Sequence, residues 1–401
     1  MSELYQLPNG WEWKYVSEVL SDIKTGTTPP KNEQKYYDNP SIKWFSPSDF
    51  GEHKELVESK NKINEIAIKD KKAKVYQPNS LLLVAIGATV GKIGIVRDES
   101  SSNQQITSMR FKDDVDVDYS YYWFVRMKQT IIDTASAATL PIINQNGIKS
   151  LPFPLTSLSE QKRIVSKLDK LFEKIDKSIA LHQKNMDEAN VFMGSVLNDV
   201  FVELEEKYGL IKINDVVVKT NNINPMNDLD KPFTYIDISS IDNKSFKIIE
   251  PKQLIGSEAP SRAKKEVLLG DIVYSTTRPN LKNISIVREE YDNPIASTGF
   301  CVLRVNENTL NSYLFYYVIT DKLFEQIEPN IRGAQYPATS DKDLKNCDIP
   351  NAPLQIQQKV VKYLDEISEK IEKIKSVQKV KMDSLKALKA SILDSVFRGE
   401  L

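Results

Sequence analysis

The sequence predicts an α+β protein made of two tandem copies of one unit, each an α/β domain followed by a long helix, with the two helices pairing as an antiparallel coiled coil. Three observations predict it. The chain aligns with its own second half, which is the mark of a repeat architecture. Each half opens with short β-rich runs broken by turn residues. Each half closes on a stretch of about 45 residues whose apolar positions recur at steps of three and four.

The repeat is read first. "PFPLTSLSEQKRIVSKLDKLFEKIDKS" from Pro152 runs without a gap against "DIPNAPLQIQQKVVKYLDEISEKIEKI" from Asp348, 196 residues further on. Pro154 falls on Pro350, Gln161 on Gln357, Leu168 on Leu364 and Asp169 on Asp365, and "SVLNDVF" from Ser195 meets "SILDSVF" from Ser391. Upstream the separation is 191, where "GKIGIVRDE" from Gly91 meets "KNISIVREE" from Lys282, and it drifts to 194 at Met109 and Leu303. Loop insertions within a shared fold leave drift of this size. The expected boundaries are residues 1–153 and 209–350 for the globular domains, and 154–208 and 351–401 for the helices.

Within each globular domain, "SLLLVAIG", "KIGIV" and "DIVYSTT" read as strands, and "YSYYWFVRMKQTIIDT" and "SYLFYYVITDKLFEQIE" as the one helical stretch of each copy. In the first long helix the expected seam is Ile164, Leu168, Leu171, Ile175, Ile179, His182, Met186, Ala189, Met193, Val196 and Val200. A helix of about 45 residues reaches roughly 65–70 Å and cannot bury such a stripe alone. Its simplest partner is its own repeat, which would set the globular domains at opposite ends of a rod; recruitment of other subunits is the alternative. His182 lies on the seam opposite a counterpart, Gln378, and reads as a packed residue rather than a ligand.

Composition narrows the function classes. A chain of 401 residues, 40% hydrophobic and 27% charged, is longer than one ordinary domain and can bury more than one core. The opening "MSELYQLPNGWEWKYV" has no basic-then-apolar leader pattern, no apolar run is long enough to span a bilayer, and two cysteines suit a reducing compartment; a cytoplasmic protein without a membrane anchor is expected. The net charge of −1 means that any nucleic-acid surface has to concentrate positive charge locally. The segment "KNKINEIAIKDKKAK", Lys60 to Lys74, does so with six lysines against Glu65 and Asp70, although a solvated helix face accounts for it as readily.

Catalytic signatures are missing. "IGATVGKIGIV" ends a glycine turn in Gly91-Lys92, yet it has three residues between its glycines where a phosphate-binding loop needs four, Ile93 where the loop needs a hydroxyl, and β-branched residues where the loop needs a helix. Its repeat counterpart is "TRPNLKN", with no glycine, so the element reads as strand–turn–strand. There is no Asn-Pro-Pro-aromatic motif of amino-methyltransferases and no His-Glu-x-x-His; His53 and His182 stand far apart. No catalytic residue and no metal ligand is assigned.

What both copies do carry is polar loops at matching places: "KTGTTPPK", "WFSPSD", "SNQQ" and "INQNG" in the first, "YIDISS", "STTRPNLK", "ASTG" and "IRGAQYPATS" in the second. Amides, hydroxyls, Arg and Lys on loops are groups that read base edges and hold phosphates, although any one stretch is also ordinary turn chemistry. The expected DNA contacts are Lys24, Thr27, Ser46, Lys92, Gln104, Gln105 and Asn144 in the first domain, and Thr277, Arg278, Lys282, Arg332, Gln335 and Tyr336 in the second.

"LPNGWEWKYVSEV", "TGTTPP", "IGATVGKIGIV", "LPFPLTSLSEQKRIVSKLDKLFEKID" and "SILDSVFRGEL" together resemble the specificity subunit of type I restriction-modification systems, over essentially the whole chain. The resemblance implies two target-recognition domains, each binding one half of a bipartite site on double-stranded DNA, and helices that space them and dock two methyltransferase subunits. It implies further restriction/translocase subunits for cleavage. S-adenosylmethionine, ATP and magnesium would sit on those partners, and this subunit would be non-catalytic. Lys170 and Lys174, on helix faces outside the pairing, are expected at the methyltransferase contact. The rival class is a coiled-coil protein-interaction scaffold without DNA specificity.

Overall fold

The computed structural model describes residues 5–51, 53–135, 140–333, 335 and 337–400. They gather into two compact units, Met1–Leu181 with Val380–Leu401 (unit 1), and His182–Lys379 (unit 2). The two long helices, Leu158–Tyr208 and Leu354–Phe397, are each divided between the units. Unit 1 takes the beginning of the first and the end of the second, unit 2 the remainder, so within each unit the two helical stretches run in opposite directions.

The globular part of each unit has one topology. In unit 1 an antiparallel sheet has the order Leu20–Thr25, Ile106–Phe111, Ser80–Val84, Ile93–Val96. In unit 2 the equivalent order is Val217–Val218, Phe300–Val305, Ile272–Ser275, Ile284–Ile286. A second sheet in each unit contains a parallel pair, Ile42–Phe45 with Ser100–Ser102 and Pro232–Ile236 with Ile295–Ser297. The run Ser80–Val84 is buried throughout because both its faces are covered. Leu81 and Leu83 point into the core that holds Tyr119 and Trp123, and Leu82 and Val84 into the one that holds Phe45 and Tyr76.

The expected helical stretches form as Val117–Arg126 with Lys128–Ala135, and Asn311–Val318 with Asp321–Ile327. Asp116 caps the first, its side chain accepting from the Asp118 and Tyr119 amides, a bond typically worth about 1 kcal/mol. Tyr119 donates to the Pro154 carbonyl at 2.7 Å and its repeat equivalent Tyr313 to the Pro350 carbonyl at 2.9 Å.

Each long helix is fastened to its domain by a buried glutamine. Gln161 donates to the carbonyls of Asp114 (3.0 Å) and Thr156 (2.8 Å) and accepts from the Asp116 amide (2.8 Å). Gln357 repeats all three bonds with Asn308, Ala352 and Leu310. Beside them Tyr122 donates to Asp169 and Tyr316 to Asp365.

The seam differs from the one expected. Ile164, Leu168 and Ile175 are buried, but so are Phe172, Leu197, Phe201 and Leu204, whereas Met193, Val196 and Val200 are only half-buried. The reason is that the helix has two apolar faces, one toward the other helix and one toward the globular domain, and the larger side chains serve the second. In unit 2 the Phe201 ring lies 5.5 Å from Tyr313 and 5.1 Å from Tyr317; in unit 1 Phe397 lies 5.3 Å from Tyr119 and 5.0 Å from Trp123. Between helices, Lys389 reaches Asp176 at 2.7 Å in unit 1, and His182 Nδ1 meets Gln378 Oε1 at 2.5 Å in unit 2. The histidine is thus packed against its own repeat equivalent. Among the described residues no helix is long and apolar enough to cross a membrane.

Candidate nucleic-acid interface

Four loops of unit 1 converge. Gly26 follows the strand Leu20–Thr25 so closely on the Ser102–Asn103 backbone that an added Cβ would stand 2.3 Å from the Asn103 carbonyl oxygen. Its neighbours are therefore fixed: Thr28 donates to Gln104 Oε1 (2.6 Å), Thr27 donates to the Lys72 carbonyl (2.8 Å), and Gln145 donates to Thr25 Oγ1 (2.9 Å). Asn103 folds back on Gln105 at 3.0 Å. The Trp44 indole N–H donates to the Thr27 carbonyl at 3.2 Å, which brings in the strand that leads to Ser46.

The structure thus brings Thr27, Gln104 and Gln105 together. Gln104 stays exposed, whereas the Gln105 side chain is held by Asn103 and the Ile86 carbonyl. Asn144 caps the short helix Gln145–Lys149, and its neighbour Gln145 reaches the cluster through Thr25. Lys24 pairs with Asp22 at 2.6 Å, and Ser46 shares a capping box with Asp49. Lys92 donates to the Phe50 carbonyl at 3.0 Å, so its ammonium has a fixed partner within the domain.

The glycine turn is a strand–turn–strand element in both units. Ser80–Val84 pairs with Ile93–Val96, and Ile272–Ser275 with Ile284–Ile286, all antiparallel. Gly87 and Gly91 have φ of +104° and +88°, and the residues in their places in unit 2, Arg278 and Lys282, both have φ of +49°. Two left-handed residues thus shape this turn in both copies. Glycine adopts that conformation freely, while for other L-residues it costs roughly 1–2 kcal/mol. Each turn is held by the same far segment, Ile86 bridging Ile142 and Thr277 bridging Ala338.

Around this second turn stand the remaining expected contacts. The Arg278 amide donates to the Pro337 carbonyl at 2.7 Å. Arg332 and Ala338 exchange both backbone hydrogen bonds at 2.9 Å, closing a loop on which Arg332 and Gln335 are exposed. Tyr336 lies outside the described residues. Lys282 turns inward to the Ile319 carbonyl (3.0 Å) and Asp321 (2.6 Å). The structure therefore gathers Thr277, Arg278, Arg332 and Gln335, with Lys282 facing the other way.

Neither cysteine thiol is activated. Burial pushes the thiol of Cys301 up to about 12 and that of Cys347 up to about 11, the opposite of activation. Burial works against ionisation of Asp118, but hydrogen bonds from Arg97 and Lys54 outweigh it and hold the carboxyl below its usual range. No group of three or more His, Cys, Asp or Glu able to hold a metal ion occurs among the described residues.

A model of the type I restriction modification DNA specificity domain matches the chain twice, over residues 8–185 and 205–382. The chain belongs to the type I restriction-modification specificity subunit family. A specificity subunit gives such a system its DNA sequence specificity, and the duplicated scaffold with unlike polar loops is a frame for that task. The chain is similar over 400 aligned residues to the MjaIX specificity subunit of Methanocaldococcus jannaschii, 22% identical across 92% of this chain and 89% of that one. It is 27% identical over 189 residues to the EcoR124I/EcoR124II specificity subunit of Escherichia coli, across 44% and 46% of the two chains. A chain solved in work on complex assembly and conformational transition of the type I R-M system shares the fold at a TM-score of 0.73 and 21% identity, across 99% of this chain and all of that one.

Sequence reasoning missed Thr28, Asn103 and Gln145, which order the unit 1 cluster. All three lie inside the polar loops singled out in the sequence, so residue type carried a signal; their pairing depends on Gly26, whose close approach no local pattern reveals.

Proposed function

We propose that the polar cluster of unit 1 reads one half of a bipartite DNA site and that of unit 2 the other. One observation carries this reading: the same left-handed turn, braced by the same far segment, presents glycines in unit 1 and Arg278 in unit 2. An unchanged frame with exchanged side chains suits two different half-sites. Arg332 and Gln335 on their exposed loop and Gln104 on its turn are the side chains we assign to base edges, where a bidentate contact discriminates by about 1–3 kcal/mol. Lys24, Thr27, Ser46, Asn144 and Thr277 would line the same surfaces.

The long helices would space the half-sites and dock two methyltransferase subunits, with restriction/translocase subunits joining for cleavage. Exposed apolar side chains on them, Val191 (74%) and Phe192 (57%) in unit 2 and Leu181 (57%) in unit 1, support a protein-binding role, and Lys170 and Lys174 are exposed on the same helix. S-adenosylmethionine, ATP and magnesium would be held by the partners, so that this cytoplasmic subunit supplies recognition and no chemistry.

The test is competitive binding of the methyltransferase-bound chain to a library randomised in both half-sites. Arg332→Ala is expected to relax one half-site and leave the other sharp. Equal weakening on unrelated DNA would make Arg332 a phosphate contact instead.

A further inference from the structure

We propose that Lys71, Lys72 and Lys74 form a phosphate clamp that holds the DNA backbone beside the half-site of unit 1, an inference that rests on the half-site reading above. The short helix Glu65–Lys69 is started by Asn64, whose side chain accepts from the Ile66 and Ala67 amides. It is ended by Lys71, whose φ of +58° turns the chain back on itself. The Lys72 and Ala73 amides both donate to the Ala67 carbonyl at 2.9 Å, and Ala67 and Ala73 are buried in a small core with Tyr36 and Ile63. With Ala73 facing inward, Lys71, Lys72 and Lys74 are left exposed.

The turn adjoins the recognition cluster, because the Lys72 carbonyl accepts the Thr27 hydroxyl at 2.8 Å. Its charge is also unspent. Asp70 is engaged by Lys35 and Tyr36, each at 3.2 Å, and Glu65 by Lys69 at 3.4 Å. Among the described residues no carboxylate pairs with Lys71, Lys72 or Lys74. Three free ammonium groups on a chain of net charge −1, beside loops that face DNA, suit a polyanion.

Unit 2 provides the contrast. The stretch that pairs with its equivalent strand, Ala263–Glu266 against Ile295–Ser297, holds Lys264 on Asn224 and Lys265 on Asp341 at 2.7 Å. Its ammonium groups are already engaged.

The experiment measures DNA affinity of the methyltransferase-bound full chain against salt, for wild type, K71Q/K72Q/K74Q and K71R/K72R/K74R, on cognate and scrambled duplexes. Three lost phosphate contacts lower the salt slope by about 2.7, so quadrupling the salt weakens wild type about 40-fold more than the Gln variant. The loss is expected to be equal on both duplexes, and the Arg variant to keep the wild-type slope. A sequence-selective wild type whose Gln variant keeps its slope overturns this inference alone, as does loss of methyltransferase binding, which would mark an acidic protein surface as the target. A wild type without sequence selectivity overturns the half-site reading and the clamp together.

Discussion

Phe397→Ala tests how the end of the second long helix completes unit 1. Phe397 is fully buried between Tyr119 and Trp123, and its carbonyl accepts the Tyr5 hydroxyl at 2.8 Å. Removing a buried phenylalanine costs about 3–5 kcal/mol, and each aromatic ring pair contributes about 0.5–1.5 kcal/mol of it beyond area. The neighbours here are two large rings locked by their own hydrogen bonds, Tyr119 to Pro154 and Trp123 to Pro152, so the site collapses poorly and about 4 kcal/mol is expected. The assay is urea unfolding followed by tryptophan fluorescence. Trp11, Trp13, Trp44 and Trp123 are all four tryptophans of the chain and all lie in unit 1, so the signal reports on that unit alone. With a slope of about 2–3 kcal/mol per molar, the midpoint should fall by between about 1 and 2 M. A change under about 1 kcal/mol, or an equal fluorescence shift from Phe201→Ala in unit 2, defeats the reasoning.

Gln161→Leu leaves the Asp114 and Thr156 carbonyls and the Asp116 amide without their partner, and about 3 kcal/mol of unit 1 stability is expected to go, read by the same titration. A loss below about 1 kcal/mol would mean that water replaces the side chain. Arg278→Gly relieves a left-handed arginine, so thermal stability should stay within about 1 kcal/mol of wild type while one half-site loses discrimination; unaltered selectivity in a randomised-site selection counts against Arg278 as a reader. Asp118→Asn is expected to cost about 2 kcal/mol at neutral pH by urea titration. Because the folded carboxyl titrates below its ordinary value, this contribution is full above about pH 5 and is lost as pH falls below about 4. A gap between wild type and variant that stays constant down to pH 3.5 rejects the Arg97–Lys54 assignment.

The duplication was legible because both copies solve the same packing problem. The separations of 191 and 196 residues reappear in the structure as the Ile86–Ile142 and Thr277–Ala338 bridges, whose two members differ by those amounts. Chemistry of the long-range kind was less legible. Gln161 and Gln357 were visible as a repeated identity, but their role depends on carbonyls and amides some 45 positions away in the chain. Lys92 and Lys282 have the right residue type for phosphate, and only tertiary structure shows them spent on the Phe50 and Ile319 carbonyls. The helix seam was half-read because a periodicity search assumes one apolar face, whereas Phe172, Leu197 and Phe201 serve a second.

The division of the helices has a consequence for biosynthesis. Unit 2 is one uninterrupted stretch, His182–Lys379, and all its parts have been synthesised before Val380 is added. Unit 1 begins first but has no lid over Tyr119 and Trp123 until Phe397 is made. The unit whose synthesis begins first is thus the one whose parts are completed last. The earlier-made domain waits with an open aromatic socket through the synthesis of the later one, and a chain truncated within its last twenty or so residues would leave that socket unfilled while unit 2 is complete.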